Sequence, residues 1–377
     1  MERWIQEDKD AIRNPSDLAR YIPLNEEEQD IIEKLCQFFQ LKIPLYYLNL
    51  INPDVPDDPI RKMCIPSCEE FIVKKGELND PIGDLKVDLN NQALPAITHR
   101  YSDRVLLHLT PLCGGYCRFC FRRRLVGNNE FRVTDQQLEQ ALFYIRGKDT
   151  IREVILTGGD PLMMSDTKLF PILKKLREIP HLWTIRIHTR MPIWNPYRIT
   201  DQLVAGLKKF QPLWIVAHFN HPREVTSLTQ RQLSKLIDVG IGVLNQSVLL
   251  KGINDTPEIQ RELQWKLIRT RIVPYYMHHV DKAKGISHFR VSIKKGLKIF
   301  KELQGTIPGY ALPKYVLDIP GGHGKVPLQY NYLSRNGDRQ IYIESPLHGY
   351  HVYEDAPDEF TDPGSASAQQ TSCPASE

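Results

Sequence analysis

The chain has 377 residues, of which 41% are apolar and 25% charged, with a net charge of +4 from 49 basic and 45 acidic side chains. This length can bury one large core, as one barrel-sized domain with additions or as two domains. The near balance of charge argues against nucleic-acid binding and against a membrane-binding patch. No run approaches 18 apolar residues and the N-terminus is charged, so we expect a cytoplasmic protein that spans no membrane.

The first 98 residues predict a helical N-terminal extension. Apolar residues recur at helical spacing between Asn25 and Leu41, after three glutamates whose charge favours the start of a helix. Frequent prolines between positions 53 and 95 then indicate loops and short helices. Cys64 and Cys68 lie in this part of the chain. Because no third thiol accompanies them, we interpret them as structural rather than as a second metal site.

From residue 99 to residue 304 the sequence alternates between short apolar runs and amphipathic helices. The predicted strands are Val105–Leu109, Glu153–Thr157, Thr184–His188, Trp214–His218, Gly242–Ser247 and Ile272–Tyr276. Four helices are predicted to follow the capping residues Thr134, Asp166, Thr200 and Thr256. A further helix is predicted at Ser292–Leu303. The strands from the second onward begin 28 to 31 residues apart, which is typical of βα units in a parallel sheet.

Six such units and a seventh strand at Tyr315–Ile319 predict an α/β fold, a partial (β/α)6-type TIM barrel. A doubly wound open sheet is the alternative, because periodicity alone does not separate the two. A small C-terminal segment spans residues 305–354 and includes a predicted strand at Gln340–Glu344. Residues 355–377 are acidic and rich in Ser, Ala and Pro, so we predict a disordered tail there.

Polar residues follow the predicted strands at their C-terminal ends, where a barrel carries its chemistry. Each of them alone is more often a solvated or structural side chain than a ligand. Together on one edge of a sheet they predict a single active site. The set comprises Gly158, Gly159, Asp160, His188, His218, Asn220, His221, Asn245, Gln246, His278, His279, Asp281 and Asp318.

Cys113, Cys117 and Cys120 form a C-x3-C-x2-C loop after the first predicted strand. A cubane iron–sulfur cluster has four irons, so three thiolates leave one iron open to a small molecule. A closed structural zinc site needs a fourth ligand, and His108 in the preceding strand is poorly placed to supply it. The loop therefore favours a cluster over zinc. Arg122, two residues after the last cysteine, is a candidate clamp for a ligand carboxylate near the open iron.

Lys325 ends the glycine-rich run Pro320-Gly-Gly-His-Gly-Lys325. The run lacks the first glycine and the final hydroxyl residue of a phosphate-binding P-loop, which excludes that motif. A lysine on a glycine turn at a strand end suits a Schiff base with an aldehyde cofactor. The alternative is a surface turn with a solvated lysine.

Two further sets of charged residues could bind the ends of a ligand. Arg100, Tyr101 and Arg104 lead into the first predicted strand and could hold a phosphate group by hydrogen bonds. Asp281 and Asp318 follow neighbouring strands, and two such carboxylates favour a cation between them, for example a substrate ammonium. The alternatives are a solvated basic segment and a pair of loop caps or salt bridges.

Together these motifs resemble the lysine 2,3-aminomutase family, radical S-adenosylmethionine (SAM) enzymes that also use pyridoxal 5′-phosphate (PLP). The resemblance runs in order from about His99 to Glu344 and so covers most of the chain. The segments that carry it are the cysteine loop with Phe121-Arg-Arg-Arg124, Leu156-Thr-Gly-Gly-Asp160, His218-Phe-Asn-His-Pro222, Leu244-Asn-Gln-Ser-Val248, His288-Phe-Arg290 and Asp318-x-Pro-Gly-Gly-x-Gly-Lys325.

The resemblance implies a radical SAM barrel core, a C-terminal PLP-binding segment and a role for each site residue. The three cysteines would hold a [4Fe–4S] cluster whose open iron binds SAM, and Lys325 would carry PLP. The other implied contacts are Gly158, Gly159, His218 and Gln246 for SAM; Arg100, Tyr101 and Arg104 for the PLP phosphate; Arg122 for the substrate α-carboxylate; and Asp281 and Asp318 for its ε-ammonium.

The implied reaction moves the amino group of L-lysine from C2 to C3 and gives β-lysine. It would need an electron donor such as flavodoxin or ferredoxin, and the enzyme could form a homo-oligomer; no nucleic acid or membrane is involved. The segments Asn245–Leu250, Arg186–Arg190 and Pro274–His278 favour the bacterial branch that makes (R)-β-lysine for elongation factor P. An enzyme of lysine catabolism is the alternative.

Three other interpretations are weaker. An aminomutase for glutamate would meet repulsion between its acidic substrate and the two aspartates. An electron carrier would not need Lys325 or the strand-end histidines. A radical enzyme acting on RNA usually brings an added basic domain, which the charge balance does not provide.

Overall fold

The computed structural model describes residues 2–84, 96–335, 340–347 and 349–356, and every structural statement below concerns these ranges. The chain divides into two compact units, residues 1–329 and 330–377. Residues 357–377 of the predicted disordered tail lie outside the described ranges, so that prediction is not tested. The predicted domain boundaries at residues 98, 304 and 354 also stay predictions.

The first unit contains helices and strands in alternation after an all-helical start. Its helices are α1 (Arg3–Lys9), α2 (Pro15–Leu18), α3 (Glu26–Cys36), α4 (Leu45–Leu48), α5 (Pro59–Cys64), α6 (Asp135–Arg146), α7 (Asp166–Arg177), α8 (Met191–Trp194), α9 (Asp201–Lys208), α10 (Ser227–Asp238), α11 (Pro257–Arg269) and α12 (Ile293–Leu303). Its strands are β1 (Ile97–Tyr101), β2 (Arg104–Thr110), β3 (Glu153–Gly158), β4 (Thr184–Thr189), β5 (Leu213–Ala217), β6 (Gly242–Leu249), β7 (Val273–His279), β8 (Lys314–Asp318) and β9 (Lys325–Pro327).

The nine strands form one sheet in the order of the sequence, β1 to β9. Strands β2 to β8 are parallel to one another, while β1 and β9 pair antiparallel at the two edges. Seven parallel strands in sequence order are the pattern of a barrel wall, and the antiparallel edge strands end it before it closes. The prediction of an α/β fold with a partial barrel is therefore confirmed.

Polar residues line one face of this sheet. Paired residues on neighbouring strands point to the same face, and alternate residues along a strand share a face. The face defined by these pairings carries His108, Thr157, Arg186, His188, Gln246, Tyr276, His278 and Asp318. The opposite face carries Leu107, Leu156, Ile187 and Met277, all fully buried. The helices cover this apolar face, so the polar face is the interior of the partial barrel.

Helices α6, α9 and α11 begin where their capping residues predict, whereas Asp166, the expected cap of α7, is the first residue of that helix and Ser165 precedes it. The Thr134 side chain accepts from Gln137 N while Gln137 bonds back to Thr134 N, a reciprocal cap at the start of α6. Thr200 and Thr256 likewise accept from the third backbone N–H of α9 and α11. These caps satisfy backbone donors that would otherwise lack partners, so each helix starts at a fixed residue.

Helices α10 and α3 and strands β1 and β9 differ from the sequence-based expectation. Helix α10 was not predicted, because only Thr229, Leu233 and Leu236 are buried on it and the apolar stripe is short. Helix α3 ends at Cys36 rather than near Leu41, because the chain turns there. Strands β1 and β9 were not predicted either, since each is a short edge strand whose pairing depends on its neighbour.

The second unit contains β10 (Leu333–Arg335), β11 (Gln340–Glu344) and β12 (Tyr350–Glu354), which form a three-stranded antiparallel sheet. The predicted strand at Gln340–Glu344 is therefore present as its central strand. In the part of the chain that the structure describes, no helix has the length and apolar content needed to cross a membrane.

Candidate active site

The cysteine loop is held in place by the N-terminal extension. Lys42 Nζ donates to the carbonyl of Cys113 at 2.8 Å. Arg118, inside the loop, donates from its backbone N to Met63 O at 2.9 Å. Its buried guanidinium also binds both carboxylate oxygens of Glu70, at 2.8 and 2.6 Å. The helical extension is therefore part of the site that it precedes in sequence.

Two glycines let the loop lie directly against α8. A methyl group added at Gly115 would lie 2.6 Å from the indole of Trp194, and one added at Gly114 would lie 2.4 Å from Met191 Sδ. Both distances are shorter than any ordinary carbon contact, and Trp194 and Met191 are fully buried. A side chain at either position must therefore displace the loop or the residues of α8 packed against it.

We expect Gly115→Ala to lose most of its bound iron after anaerobic reconstitution and to be less stable by about 1–3 kcal/mol, because overpacking displaces the cysteines. Iron analysis and thermal denaturation measure the two effects. Gly309→Ala is the matched control, since nothing lies within 4 Å of its added methyl group. Iron content equal to that of the control would show that the loop tolerates the displacement.

The three thiols are half-buried and lie close enough to influence one another. Burial, followed by the nearby Asp160 and the other two thiols, raises the pKa of Cys113 well above its usual value. Burial and the neighbouring Cys117 raise the pKa of Cys120 to about 12. Grouped, buried thiols of this kind ionise readily only when a bound cation compensates their charge. The donor set therefore fits a metal centre.

A cluster fits this set better than a single ion. Within residues 2–84, 96–335, 340–347 and 349–356, no three His, Cys, Asp or Glu side chains are gathered as the ligands of one metal ion. In a cubane cluster each thiolate binds a different iron, so the three sulfurs stand further apart than around zinc. Cys64 is fully buried and its Sγ bonds to Ile60 O at 3.2 Å, in keeping with a structural thiol.

The glycine pair at the end of β3 packs against the segment that leads to Cys113. A Cβ atom on Gly158 would lie 2.7 Å from Thr110 O, and one on Gly159 would lie 2.3 Å from Leu112 O. Gly158 also has a φ of +113°, which favours glycine. Both glycines thus have a packing role, and their contact with SAM stays a prediction.

Asp160 joins this turn to the next strand. Its carboxylate accepts from Thr189 Oγ1 at 2.7 Å, from the backbone N of Arg190 at 2.7 Å, from Met191 N at 2.9 Å and from Leu162 N at 3.0 Å. Four donors on one buried carboxylate fix the ends of β3 and β4 relative to α8. The cysteine loop, the glycine pair and α8 therefore form one rigid wall.

His188 and His218 stand side by side at the ends of β4 and β5. Their ring centroids are 5.9 Å apart, and the Nε2 atom of each is buried without a hydrogen-bond partner among the described residues. Burial lowers the pKa of both, that of His218 to about 3, so both rings are neutral at physiological pH. Buried polar atoms without partners usually await a ligand or water, which fits a SAM contact at His218. Gln246 lies on the same inner face, on β6.

Asp318 and Lys325 face each other across a hairpin. Strands β8 and β9 pair so that Asp318 is opposite Lys325, and Lys325 Nζ bonds to Asp318 Oδ2. The turn between them has positive φ at Gly321, Gly322 and Gly324, which is why the connection is glycine-rich. The sequence suggested that Lys325 lies on the glycine turn, but it is the first residue of β9. Strand pairing therefore fixes its position opposite Asp318.

His278 completes this group. Its Nδ1 atom lies 3.2 Å from Lys325 Nζ and 3.1 Å from Asp318 Oδ2. Burial alone would raise the pKa of Asp318, but its hydrogen bond with His278 and the charge of Lys325 outweigh burial and hold that pKa well below its ordinary value. Asp318 is therefore an ionised carboxylate that already binds an alkylammonium.

Strand β1 carries two of the predicted phosphate ligands to the same turn. Arg100 Nη2 donates to Ile82 O, and Tyr101 OH accepts from Lys325 N at 3.0 Å. Arg104 lies over the Tyr101 ring, with its Cζ 3.9 Å from the ring centroid. Two arginines and a phenol thus border the segment that holds Lys325, which fits a phosphate-bearing cofactor.

Arg122 is anchored on one side and open on the other. Its Nε donates to Asp84 Oδ2 at 2.6 Å, its Nη2 to Asp84 Oδ1 at 3.3 Å and its Nη1 to Thr157 Oγ1 at 3.0 Å. These bonds use three of the five guanidinium N–H groups. The remaining two are available for a ligand carboxylate, as the candidate role of Arg122 requires.

Asp281 is within electrostatic range of both Arg122 and the Lys325 hairpin. Burial, followed by the nearby Asp318 carboxylate, raises the pKa of Asp281 to about 7, while Lys325 and Arg122 act in the opposite direction. Arg122 in turn is influenced by Cys120 as well as by Asp281. Arg122 and Asp281 therefore interact electrostatically with the cysteine loop on one side and with Lys325 on the other.

Sequence reasoning missed three of these contacts. Asp84 lies in the proline-rich region that was interpreted as loops and short helices, and no local pattern pairs it with Arg122. Thr157 was assigned to a strand but given no role. His278 was placed at a strand end without a partner; its position two residues after Tyr276, on the inner face of β7, was the available signal.

Comparisons with known proteins identify the family of the chain. The radical SAM superfamily model matches residues 107–260, and the lysine-2,3-aminomutase model matches residues 300–370. The chain is 41% identical to an L-lysine 2,3-aminomutase of Clostridium subterminale over 339 residues, 90% of this chain and 80% of that protein. It is 37% identical to a glutamate 2,3-aminomutase of Clostridioides difficile over 328 residues, 87% of this chain and 76% of that protein.

Among solved structures, native anSMEcpe with bound AdoMet is similar with a TM-score of 0.42 at 13% identity, over 53% of this chain and 59% of that one. The family relationship rests instead on the sequence matches, which extend over most of the chain and of its relatives. With three cysteines on the loop after β2 and Lys325 opposite Asp318, the chain belongs to the lysine 2,3-aminomutase family of radical SAM isomerases.

Proposed function

We propose that the protein uses PLP bound to Lys325 to convert L-lysine into β-lysine at this site. The observation that carries the proposal is the ion pair between Lys325 and Asp318, with Asp281 beside it. A carboxylate that binds the alkylammonium of the protein's own lysine offers the same bond to the chemically identical group of a substrate lysine.

The charged side chains of the site can bind the ammonium group at one end of lysine and the carboxylate at the other. When Lys325 is bonded to an aldehyde cofactor, its ammonium no longer occupies Asp318, and that carboxylate can take the substrate ε-ammonium together with Asp281. The two remaining N–H groups of Arg122 can take the α-carboxylate. When bound, the cluster and SAM supply radical chemistry and PLP supplies an aldehyde for the migrating amino group. The protein orients lysine between these fixed charges.

Glutamate is the less favoured substrate, although one of the relatives is a glutamate 2,3-aminomutase. A side-chain carboxylate in place of the ammonium would meet Asp318, whose pKa is held low, and Asp281 next to it. The carboxylate of a glutamate side chain would be repelled by these two carboxylates inside the protein. We therefore place lysine rather than glutamate in the site.

The product is proposed to be (R)-β-lysine for the modification of elongation factor P. The support for this part is the resemblance of Asn245–Leu250, Arg186–Arg190 and Pro274–His278 to that bacterial branch. These segments contribute Gln246, His188 and His278 to the inner face of the sheet, so the features that distinguish the branch line the site itself.

The test is an anaerobic incubation of the reconstituted protein with lysine, SAM, PLP and dithionite, followed by chiral chromatography of the amino acids. (R)-β-lysine is expected, with no β-glutamate from a parallel incubation with glutamate. Turnover of glutamate without turnover of lysine would refute the substrate assignment, and (S)-β-lysine would refute the elongation factor P branch.

We expect Asp281→Asn to abolish lysine turnover and yet to stabilise the free protein at pH 8 by about 1–3 kcal/mol. The folded pKa of Asp281 is about 7, against an ordinary value near 4. Burying its negative charge therefore lowers the stability of the wild type as pH rises from about 4 to 7, and the full penalty remains above pH 7. Asparagine carries no such charge.

Thermal denaturation of the free protein at pH 8 and pH 5 checks this expectation. The difference between variant and wild type should shrink at pH 5, where Asp281 is mostly protonated. Asp54→Asn, on an exposed aspartate, is the matched control and should leave stability and turnover unchanged. A less stable Asp281→Asn protein at pH 8 would contradict the assigned penalty.

A further inference from the structure

His278 is the unassigned group nearest to the reactive amine. Its Nδ1 atom lies 3.2 Å from Lys325 Nζ and 3.1 Å from Asp318 Oδ2, and Lys325 Nζ also bonds to Asp318 Oδ2. Strand pairing fixes all three, since His278 is on β7, Asp318 on β8 and Lys325 on β9. His278 Nε2 is buried and has no hydrogen-bond partner among the described residues.

We propose that His278 accepts a proton from the Lys325 ammonium and so prepares the lysine to bond to its cofactor. One N–H bond at Lys325 Nζ breaks and its electron pair stays on that nitrogen, while a new N–H bond forms at His278 Nδ1. Asp318 remains ionised and pairs with the resulting imidazolium, so the net charge of the group is unchanged. This inference rests on the proposed attachment of PLP to Lys325.

The chemistry requires such an acceptor. An ammonium has no lone pair and cannot attack an aldehyde. The ion pair with Asp318 favours the ammonium form of Lys325. Asp318 itself is a poor base, because its pKa is held well below the ordinary value. His278 is neutral before the transfer, because burial lowers its pKa, and it lies within hydrogen-bond distance of the proton to be moved.

The described groups around His278 do not offer a substitute proton acceptor for Lys325. The Tyr276 ring meets it edge-on at 5.7 Å between centroids, and burial raises the pKa of Tyr276 well above neutrality. His188 and His218 are neutral as well, but no hydrogen bond joins either ring to Lys325 in the part of the chain that the structure describes, and the Nε2 atom of each has no partner there. Asp281 acts on Lys325 and Asp318 at longer range. Among these groups only His278 combines contact with Lys325 Nζ and basicity.

His278→Asn separates proton transfer from simple hydrogen bonding. Asparagine can place a polar atom near the position of Nδ1, yet it takes up no proton at neutral pH. The matched control is His279→Asn, because His279 is the next residue on β7 and its Nδ1 bonds instead to Tyr315 OH at 2.7 Å. Successive residues of a strand point to opposite faces, so His279 points away from Lys325 and lies outside the site, although the sequence grouped it with the strand-end residues.

The experiment follows the appearance of borohydride-reducible absorbance by stopped flow after PLP is added to PLP-free, full-length protein between pH 6 and pH 9. We expect wild type and His279→Asn to react alike. His278→Asn should react about 100-fold more slowly at pH 7, with a rate that rises with pH because Lys325 must then lose its proton to solvent. Added imidazole should accelerate His278→Ala, since the ring fits the space left by the side chain.

Two results would overturn the inference: a wild-type rate in His278→Asn, or no effect of imidazole on a folded His278→Ala protein. Failure of the proposed function looks different. In that case the wild type itself would form no reducible adduct on Lys325, whatever residue stands at position 278.

Discussion

Lys325→Ala is expected to form no PLP adduct at the active site and to lose lysine turnover by at least about a thousandfold. Alanine removes the only amine that strand pairing places beside both Asp318 and His278 in the described residues. The remaining carboxylate would keep its bond to His278, so the hairpin should still fold. Absorbance after PLP addition, borohydride reduction and peptide mapping identify the modified lysine, and the anaerobic assay measures turnover.

Lys314→Ala is the matched control for this variant. Lys314 begins the strand that Asp318 ends, but its side chain is exposed, so it should neither carry PLP nor affect turnover. Because free aldehydes react with surface lysines, the peptide map matters more than the absorbance. A wild-type adduct on a lysine other than Lys325, together with full turnover of Lys325→Ala, would remove the basis of the proposed function.

Cys117→Ser is expected to lose the brown cluster absorbance and all detectable turnover after anaerobic reconstitution. Cys117 is the middle thiol of the loop, and the serine hydroxyl ionises far less readily than a thiol and is a weak ligand for iron in clusters. Because the loop supplies three thiols to a cluster of four irons, loss of one leaves two irons without a ligand from the loop. Iron and sulfide analysis, with an absorbance spectrum, measures the effect directly.

Cys68→Ser provides the comparison. Cys68 is exposed and lies near Cys64 in the N-terminal extension, where we interpreted both thiols as structural. Its substitution should leave iron content and turnover unchanged. Loss of iron in Cys68→Ser, or full iron in Cys117→Ser, would mean that the three-cysteine loop is not the complete ligand set.

Much of the fold was predictable because it depends on local patterns. The spacing of the predicted strands, the caps at Thr134, Thr200 and Thr256, and the apolar alternation of β4 and β6 are properties of short windows. They were enough to predict parallel βα units, and they are the reason we expect the chemistry at the C-terminal edge of the sheet. The cysteine loop was predictable for the same reason, since its ligands lie within eight residues of one another.

The pairs of charges at the site were not predictable, because they join distant segments. Arg122 was expected to bind a substrate carboxylate, but nothing local indicates that Asp84 already holds one side of its guanidinium. Likewise Arg118, inside the cysteine loop, is neutralised by Glu70 from the extension. Such pairs form because a buried charge needs a partner, and which partner is near is decided by the packing of the chain.

The amino-acid sequence by itself therefore determined the kind of chemistry: three thiols at cluster spacing, a lysine after a glycine turn and two carboxylates at strand ends. Only the tertiary structure decided which of these groups meet. The register of β7, β8 and β9 places His278, Asp318 and Lys325 in contact, and a shift of one residue in any of these strands would turn its side chain to the apolar face. Strand register depends on long-range pairing, which no short stretch of sequence contains.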